Sequence, residues 1–332
     1  MERIDFNNVG YDPQIDYIKG LCILFVIWTH CISRGELGNL LFPFWGDTAV
    51  PIFLIIQVFH YYKKGVNLRM PNTIKLWKRI LRPFIIMIVL MFLTQFLIYY
   101  NETDGEFALS LYWDKRGPGS YYIFIYLEFA LVIPLLAPLF KKLSVKWLFA
   151  SFVILSQLAE LVCCIIQCPD NIYRLLFFRY FFLIFLGFLL ATKGLKLNKL
   201  TIFGATLSMV FLYLFNYKDI DLEPIFYTSL GNWKYCHWIC YIYIAYFFLG
   251  FLKYTHTKLC KYKNVQKQIE IIGKYSYEIY LFQIFYYATI SIYVRQSLCL
   301  VGNYSIQRLL YILISTAICV IPIIYLKGKR HH

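Results

Sequence analysis

Charged residues are scarce in this chain. Lys, Arg, Asp and Glu make up 15% of its 332 residues, whereas 60% are hydrophobic and 20% aromatic. A soluble protein of this length would expose far more charge, so the composition excludes that class and indicates a polytopic membrane protein. Linkers rich in Gly, Ser or Pro, low-complexity tracts and any sizeable polar domain are also absent from the sequence. The sequence therefore predicts a single membrane domain over residues 1–332.

Several motifs are missing as well. The sequence has no Cys-x-x-Cys pair or similar spacing that would predict a metal site, and it has no Ser-centred nucleophile motif. The start "MERIDFNNVGYDPQ" is polar and the following apolar run lacks a small-residue cleavage site, which predicts that no secretory signal is removed. A disulfide is left open among the cysteines toward the predicted outer ends of the spans: Cys163, Cys164, Cys168, Cys236, Cys240 and Cys299.

Long apolar runs are what the chain does have. A helix needs roughly 20 apolar residues to cross the hydrocarbon core of a membrane. This length predicts an all-α fold with about ten transmembrane helices, of which the ninth is the least regular because polar groups interrupt its first half. The predicted spans are 15–33, 47–64, 82–100, 120–140, 147–166, 174–192, 200–216, 235–253, 271–294 and 306–326.

The net charge of +15 is placed unevenly. Lys and Arg cluster in alternate connections between the apolar runs, within 63–82, 141–146, 193–199, 253–267 and 327–330. Loops facing the cytoplasm carry such an excess, so the pattern predicts that both termini are cytoplasmic. Short basic loops of this kind also argue against nucleic acid as a partner and for contact with membrane lipids.

The first span, "DYIKGLCILFVIWTHC", carries ionisable groups at both ends. Lys19 and His30 are eleven residues apart, about three helical turns, so they share a face and lie roughly 16 Å apart along the axis. Imidazole is the side chain best suited to take a proton from a hydroxyl near neutral pH, which makes His30 a candidate base. Lys19 is expected to neutralise an anionic group, with Asp16 as its helical partner. In the alternative interpretation, Lys19 reaches the interface and His30 only bonds to a neighbouring helix.

A second basic group precedes the third span. Arg79 and Arg82 are three residues apart, so on a helix they share a face and can hold one polyanion. Guanidinium groups pair with phosphate through two hydrogen bonds, and Lys75 and Lys78 add charge nearby. The alternative is ordinary cytoplasmic charge or contact with anionic lipid headgroups.

Polar side chains inside other spans are costly unless they are paired or face a cavity. Glu128 and Glu160 lie in the fourth and fifth spans, and Arg179, about a turn and a half inside the sixth, is a plausible partner for either. A structural ion pair and the lining of an acceptor tunnel are both open. Gln57 is expected to bond across helices, and His60, close to the basic loop, is a candidate second functional histidine; both are also candidates for the lining of the acceptor site or tunnel. His237 is expected to be a packing residue.

These motifs together resemble acyltransferase family 3, integral membrane enzymes that O-acylate surface carbohydrates. "DYIKGLCILFVIWTH" is similar to the first helix of that family, with a basic residue, ten intervening residues and a histidine. "WKRILRPF" supplies an Arg-x-x-Arg pair in the loop before the third span. "AVPIFLIIQVFHYYKKG", "GPGSYYIFIYLEF", "FFLIFLGFLL" and "IGKYSYEIYLFQ" are similar to later segments. Two departures are Gln57 and Val58, where many members have Ser-Gly, and Gln283, where a histidine is common.

The resemblance implies an acyl-CoA-dependent O-acyltransferase of the bacterial cytoplasmic (inner) membrane. It implies acyl-CoA as the donor, with acetyl-CoA as the first candidate. The arginine pair would hold the phosphates of the donor, and no bound cofactor is expected. The implied acceptor is a hydroxyl of an exported or cell-surface carbohydrate, and a lipid-linked carbohydrate is one form that this acceptor can take. Direct transfer and a covalent acyl-enzyme are both open. So are two other functions: a transporter or flippase for a glycan or glycolipid, and a non-catalytic subunit of a polysaccharide assembly.

Overall fold

The computed structural model describes residues 12–32, 40–63, 70–102, 119–173, 175–218, 237–259 and 261–329, and within these ranges the chain is helical and contains no strand. Single turns at Phe42–Phe44, Asp170–Tyr173 and Phe177–Tyr180 accompany the longer helices. The longer helices are α1 Pro13–Cys31, α2 Ala49–Lys63, α3 Met70–Glu102, α4 Tyr122–Lys142, α5 Val145–Ile165, α6 Phe181–Lys193, α7 Lys199–Tyr217, α8 Trp238–Leu259, α9 Lys263–Lys274, α10 Ser276–Thr289, α11 Ser291–Leu298 and α12 Tyr304–Gly328.

Seven helices in the described ranges are long and apolar enough to cross a membrane. They are Phe42–Lys63, Trp77–Ile98, Tyr122–Lys142, Val145–Ile165, Lys199–Tyr217, Trp238–Leu259 and Tyr304–Gly328. The other three predicted spans fall on α1, α6 and the pair α9–α10, which are more polar, shorter or interrupted. The all-helical class is confirmed, whereas the count of ten and the cytoplasmic placement of both termini stay predictions.

Two predicted boundaries need correction. The third span begins inside α3, a 33-residue helix about 50 Å long, so Arg79 and Arg82 lie on a helix and not in a loop. Pro71 is tolerated so near the start of α3 because the first helical residues need no backbone donor. Arg179 was expected inside the sixth span, but it lies in the 3₁₀ turn that precedes α6.

The predicted ninth span, 271–294, is interrupted twice, and only the first interruption lies in the first half, where polar groups predicted irregularity. The first interruption is at Tyr275, between α9 and α10, and the second at Ile290, between α10 and α11. The early part, α9, has a polar and largely exposed sequence, "KNVQKQIEIIGK", which cannot lie in hydrocarbon on all sides. Of the two helices, α10 has the larger share of buried side chains, and it carries the late motif "SYEIYLFQ".

Helices α2 and α6 form the centre of the bundle. Most of their side chains are buried, and the two helices pack on each other. By contrast α5, α7 and α12 expose many large apolar side chains on their outer faces. Apolar exposure of this extent is unfavourable in water and suits helices that face lipid.

Helix α1 lies inside the bundle rather than at its edge. It begins at Pro13, behind Asp12, whose carboxylate accepts a hydrogen bond of 2.9 Å from the backbone N–H of Gln14. Its first half packs on α9, where Gly20 and Gly273 face each other. A Cβ atom on Gly273 would lie 2.7 Å from the nitrogen of Gly20 and would overlap the carbonyl of Asp16. Two glycines thus let the two backbones touch.

Candidate functional site

His30 lies in the last turn of α1 and faces α10. Tyr280, Gln283 and Tyr287 are spaced at i, i+3 and i+7 and therefore share one face of α10. The ring of Tyr287 lies 5.4 Å from that of His30, centre to centre. The Tyr287 hydroxyl donates to the carbonyl of Ile27 at 2.9 Å, so α10 holds the end of α1 on which the imidazole stands.

A glycine turn, residues 119–121, approaches the same imidazole from the start of α4. Gly119 has φ of +85°, a left-handed conformation that favours glycine. Its carbonyl accepts a hydrogen bond of 2.6 Å from the Tyr280 hydroxyl. A Cβ atom built on Gly119 would lie 3.9 Å from Nε2 of His30 and 3.8 Å from Nε2 of Gln283. Three segments that the sequence singled out separately therefore meet at one point.

The His30 side chain is not fully covered by the described residues. It is partly exposed, and among the described residues neither ring nitrogen has a hydrogen-bond partner. An imidazole used only for packing would be expected to bond to a neighbour, because buried polar groups are nearly always satisfied. The arrangement therefore suits a base that waits for a substrate hydroxyl.

Lys19 and Asp16 lie at the other end of α1. They form the predicted ion pair, with Nζ of Lys19 2.5 Å from Oδ1 of Asp16. Asp16 is buried and lies beside the Gly20–Gly273 crossing. The pair does not contact His30, so the two parts of the sequence signature occupy separate environments.

The basic group is accessible on α3. Within the part of the chain that the structure describes, its four side chains are exposed and form no ion pair: Lys75, Lys78, Arg79 and Arg82. Ile80, which follows Arg79, accepts a hydrogen bond of 2.5 Å through its carbonyl from the Tyr277 hydroxyl of α10. This bond holds the turn of α3 that carries Arg79 and Arg82, the arginine turn, against α10, the helix that lines His30.

Tyrosines connect the arginine turn with His30. Arg79 is close enough to Tyr126 of α4 for an electrostatic interaction. The ring of Tyr126 lies 6.0 Å from that of Tyr122, which lies 5.4 Å from that of Tyr280. We call Tyr126, Tyr122 and Tyr280 the aromatic path. Gln57 donates to the carbonyl of Tyr126 at 2.8 Å, which confirms the expected bond across helices.

Arg179 and Glu160 share a tyrosine neighbour. The Tyr173 hydroxyl donates to Glu160 at 2.7 Å, and the Arg179 guanidinium lies 5.7 Å from the centre of the same ring. Arg179 also lies 5.4 Å from the ring of Tyr121, which belongs to the glycine turn. Glu128 lies close to the backbone of Phe177, two residues before Arg179. The three charged residues are therefore neighbours, while a direct ion pair stays a prediction.

The remaining predicted residues lie elsewhere. His60 is in the last turn of α2, against Phe59, and His237 is buried with its ring edge-on to Phe215 at 5.0 Å. His237 thus packs as expected. Among the described cysteines no disulfide is formed, and Cys236 lies outside the described residues. In the same ranges no group of His, Cys, Asp or Glu could hold a metal ion.

The sequence interpretation missed several residues around His30. Gly119, Tyr280 and Tyr287 were not singled out, and Gln283 was noted only as a departure. A signal was present, because Tyr280, Gln283 and Tyr287 carry polar atoms at helical spacing within an apolar run. The spacing cannot show which helix they face.

The fold and this site define an integral membrane protein with a histidine-centred polar cluster inside an all-helical bundle. The family model described as an acyltransferase domain matches residues 12–326, nearly the whole chain. The chain therefore belongs to acyltransferase family 3, which confirms the resemblance. Neither a curated protein nor a solved structure was found to match it.

Proposed function

We propose that the protein is a membrane O-acyltransferase that moves an acyl group, in the first place acetyl, from cytoplasmic acyl-CoA to a hydroxyl of an exported or cell-surface carbohydrate. The observation that carries this proposal is the meeting of α1, the glycine turn and α10 at the open ring of His30. Family membership supports acyl transfer. The bacterial cytoplasmic membrane is the expected location, with ten spans and both termini inside.

The donor would bind at the start of α3. Arg79 and Arg82 present guanidinium groups suited to phosphate, and Lys75 and Lys78 add positive charge. In the described structure these cations have no protein anion to compete with a ligand. The aromatic path leads from Arg79 toward His30 and marks the direction in which the acyl end of the donor would extend.

His30 would act as the base. The acceptor oxygen attacks the thioester carbonyl as the imidazole takes the hydroxyl proton, and that proton then passes to the departing sulfur of coenzyme A. The products are an ester and free coenzyme A. A covalent acyl-histidine is the alternative route, and it would also need the open nitrogen of His30.

The acceptor would approach on the side of Arg179. The glycine turn lies between the two groups, because Gly119 is near His30 and the ring of Tyr121 lies 5.4 Å from the Arg179 guanidinium. Carboxylates and aromatic rings are the groups that hold sugars, through hydrogen bonds and stacking. Glu128 and Glu160 supply the carboxylates of this second cluster.

The arginine pair tests the donor site. In purified protein, Arg79→Ala and Arg82→Ala should each raise the KM for acyl-CoA about tenfold and leave kcat nearly unchanged, since each removes a contact to phosphate (about 1.4 kcal/mol). Release of free coenzyme A, measured with a thiol reagent against donor concentration, gives both constants. The matched control is Arg295→Ala, an exposed arginine of α11, and an equal rise in its KM would contradict the assignment.

Mass spectrometry of surface glycans from cells with and without the gene tests the reaction itself. A mass difference names the acyl group, and the fragment that carries it names the acceptor sugar. A protein that binds glycan but releases no coenzyme A from any acyl-CoA would instead be a transporter or flippase.

A further inference from the structure

His30 is the second-last residue of α1, and the helix ends where the backbone of Ile32 becomes extended. The end turns of a helix fray unless other parts of the structure hold them. A general base must stay within about 0.5 Å of its working position, and a displacement of about 1 Å can lower the rate about 100-fold. The imidazole therefore needs a support from outside α1.

Tyr287 contacts α1 on both sides of His30 in the sequence. Its hydroxyl donates to the carbonyl of Ile27 at 2.9 Å and lies 3.0 Å from Sγ of Cys31. Ile27 and Cys31 are four residues apart and so share a face of the last turn. The ring of Tyr287 also meets the His30 ring edge-on, at 5.4 Å with 63° between their planes. One side chain contacts the backbone, the thiol and the imidazole of the same turn.

The number of hydrogens fixes the direction of both bonds. A tyrosine hydroxyl has one hydrogen, and a carbonyl can only accept, so that hydrogen lies on the bond to Ile27. The hydrogen between Tyr287 and Cys31 must then come from the thiol, which means that Cys31 donates to the Tyr287 oxygen. Phenylalanine in place of Tyr287 would remove both bonds and keep a ring beside His30.

The segment of α10 that carries Tyr287 is itself held by its neighbours. The hydroxyls of Tyr286 and of Ser315 in α12 are 2.9 Å apart. The carbonyl of Ala288 accepts a hydrogen bond of 3.1 Å from Gln95 of α3. Three consecutive residues of α10 therefore bond to three different helices. A side chain whose own position is locked in this way can fix the position of another group.

We propose that Tyr287 is a positioning residue for the acyl transfer proposed above, the function on which this inference rests. Its hydroxyl holds the last turn of α1, and through that turn it keeps the imidazole of His30 where the acceptor hydroxyl must arrive. Tyr287 neither takes nor gives a proton in the reaction, because its one hydrogen stays on the carbonyl of Ile27. The role is the same whether His30 acts as a base or carries the acyl group.

The kinetic test compares Tyr287→Phe with Tyr286→Phe. Tyr287→Phe should lower kcat about 30-fold and leave the KM for acyl-CoA within about threefold, because the imidazole is displaced and the donor contacts are not. Tyr286→Phe is the matched control, since it loses a buried bond between helices but none to α1. Its kcat should stay within about threefold of wild type. The release of coenzyme A measures both constants.

Combination with His30→Ala separates positioning from a general loss of structure. Where no imidazole is left to position, Tyr287→Phe should change the residual rate of coenzyme A release by less than about threefold. Damage to the bundle as a whole would lower the rate by the same factor in both backgrounds. Such an equal loss would contradict the proposal.

Two substitutions at Cys31 keep the tyrosine and give an answer even if Tyr287→Phe does not fold. Cys31→Ser keeps a donor to the Tyr287 oxygen, whereas Cys31→Ala removes one of the two bonds that hold the turn. The kcat of the serine variant should exceed that of the alanine variant about fivefold, the contribution of one neutral hydrogen bond. Equal kcat values for the two variants would count against the role of Tyr287.

The inference and the proposed function fail in different ways. A wild-type protein that releases no coenzyme A from any acyl-CoA would sink the proposed function. An active wild type with an equally active Tyr287→Phe variant would sink only the positioning role, and so would a Tyr286→Phe variant that loses as much kcat as Tyr287→Phe.

Discussion

The two ends of α1 use similar residues for opposite purposes. At the first end Lys19 is paired with Asp16, and Gly20 touches the backbone of α9, so the space is closed. At the other end the ring of His30 has no hydrogen-bond partner among the described residues, and the turn at Gly119, which carries no side chain, lies beside it. The sequence signature gives Lys19 and His30 equal weight. In the structure one end joins α1 to α9, and the other leaves the ring of His30 without a hydrogen bond to the described residues.

The glycines make the difference clearest. Gly20 and Gly273 remove side chains so that two helices can approach, and any added atom there meets backbone. At Gly119 an added Cβ would meet only the ends of side chains, at contact distances of 3.7 to 3.9 Å, so the constraint there is the positive φ of +85° and not a close approach of two helices. Substitutions at the two ends should therefore separate stability from activity.

The largest effect is expected at the open end. His30→Ala should lower kcat by about 10³-fold, since general-base catalysis contributes typically 10² to 10⁴. The midpoint of thermal unfolding in detergent should change little, because no hydrogen bond to a described residue is lost. The release of coenzyme A by purified protein measures kcat.

His256→Ala is the matched control. His256 lies 3.2 Å from Glu270 and joins α8 to α9, far along the chain from the His30 cluster. This variant should lose some stability and keep its kcat. Wild-type acylation of the surface glycan in a His30→Ala strain would remove the catalytic claim.

The fold and the site were accessible from the sequence to different degrees. Apolar runs predicted the helical class, because a membrane leaves the backbone few alternatives to a helix. The pairing of Asp16 with Lys19 followed from helical spacing alone. The contacts of His30 did not, because Gly119, Gln283 and Ile27 come from segments far apart in the chain, and periodicity within one helix cannot show which helices meet.

Predicted span boundaries were wrong where polar residues continue a helix beyond its apolar segment. The first turns of α3 carry lysines and arginines, so hydropathy placed them in a loop, although these residues are compatible with a helix, which here continues through Pro83. The predicted position of Arg179 inside the sixth span was wrong for the opposite reason. Its neighbours are aromatic enough to predict a span, but the chain first makes a 3₁₀ turn, and the guanidinium packs against Tyr180 at 4.5 Å.

The second largest effect is expected at the closed end. In Gly273→Ala the new Cβ would meet the carbonyl of Asp16 and the nitrogen of Gly20, so α1 and α9 must separate. Overpacking of this kind typically costs 1 to 3 kcal/mol, and contact with backbone places it near the upper limit, about 3 kcal/mol. Thermal unfolding of the purified protein in detergent should show a clear loss of stability.

Gly204→Ala is the control for this substitution. Gly204 is a helical glycine of α7, and its added Cβ would lie 3.7 Å from Ile242. Alanine there should be neutral or stabilising by up to about 1 kcal/mol, from the higher helix propensity. Equal stability of the Gly273 and Gly204 variants would show that the backbones of α1 and α9 do not touch.

The smallest effect is expected for the ion pair, and it bears on whether Lys19 takes part in the chemistry. Lys19→Met leaves the buried Asp16 without its cation, and we expect a loss of about 2 kcal/mol, less than for a fully buried pair because the Lys19 side chain is 23% exposed. In the double variant Asp16→Asn/Lys19→Met no charge is left unpaired, so most of that stability should return. Folded protein of both variants should retain the wild-type kcat within about threefold, measured by coenzyme A release and corrected for the folded fraction. A double variant that is as stable as wild type but inactive would show instead that Lys19 acts on the substrate, and the two ends of α1 would then belong to one catalytic unit.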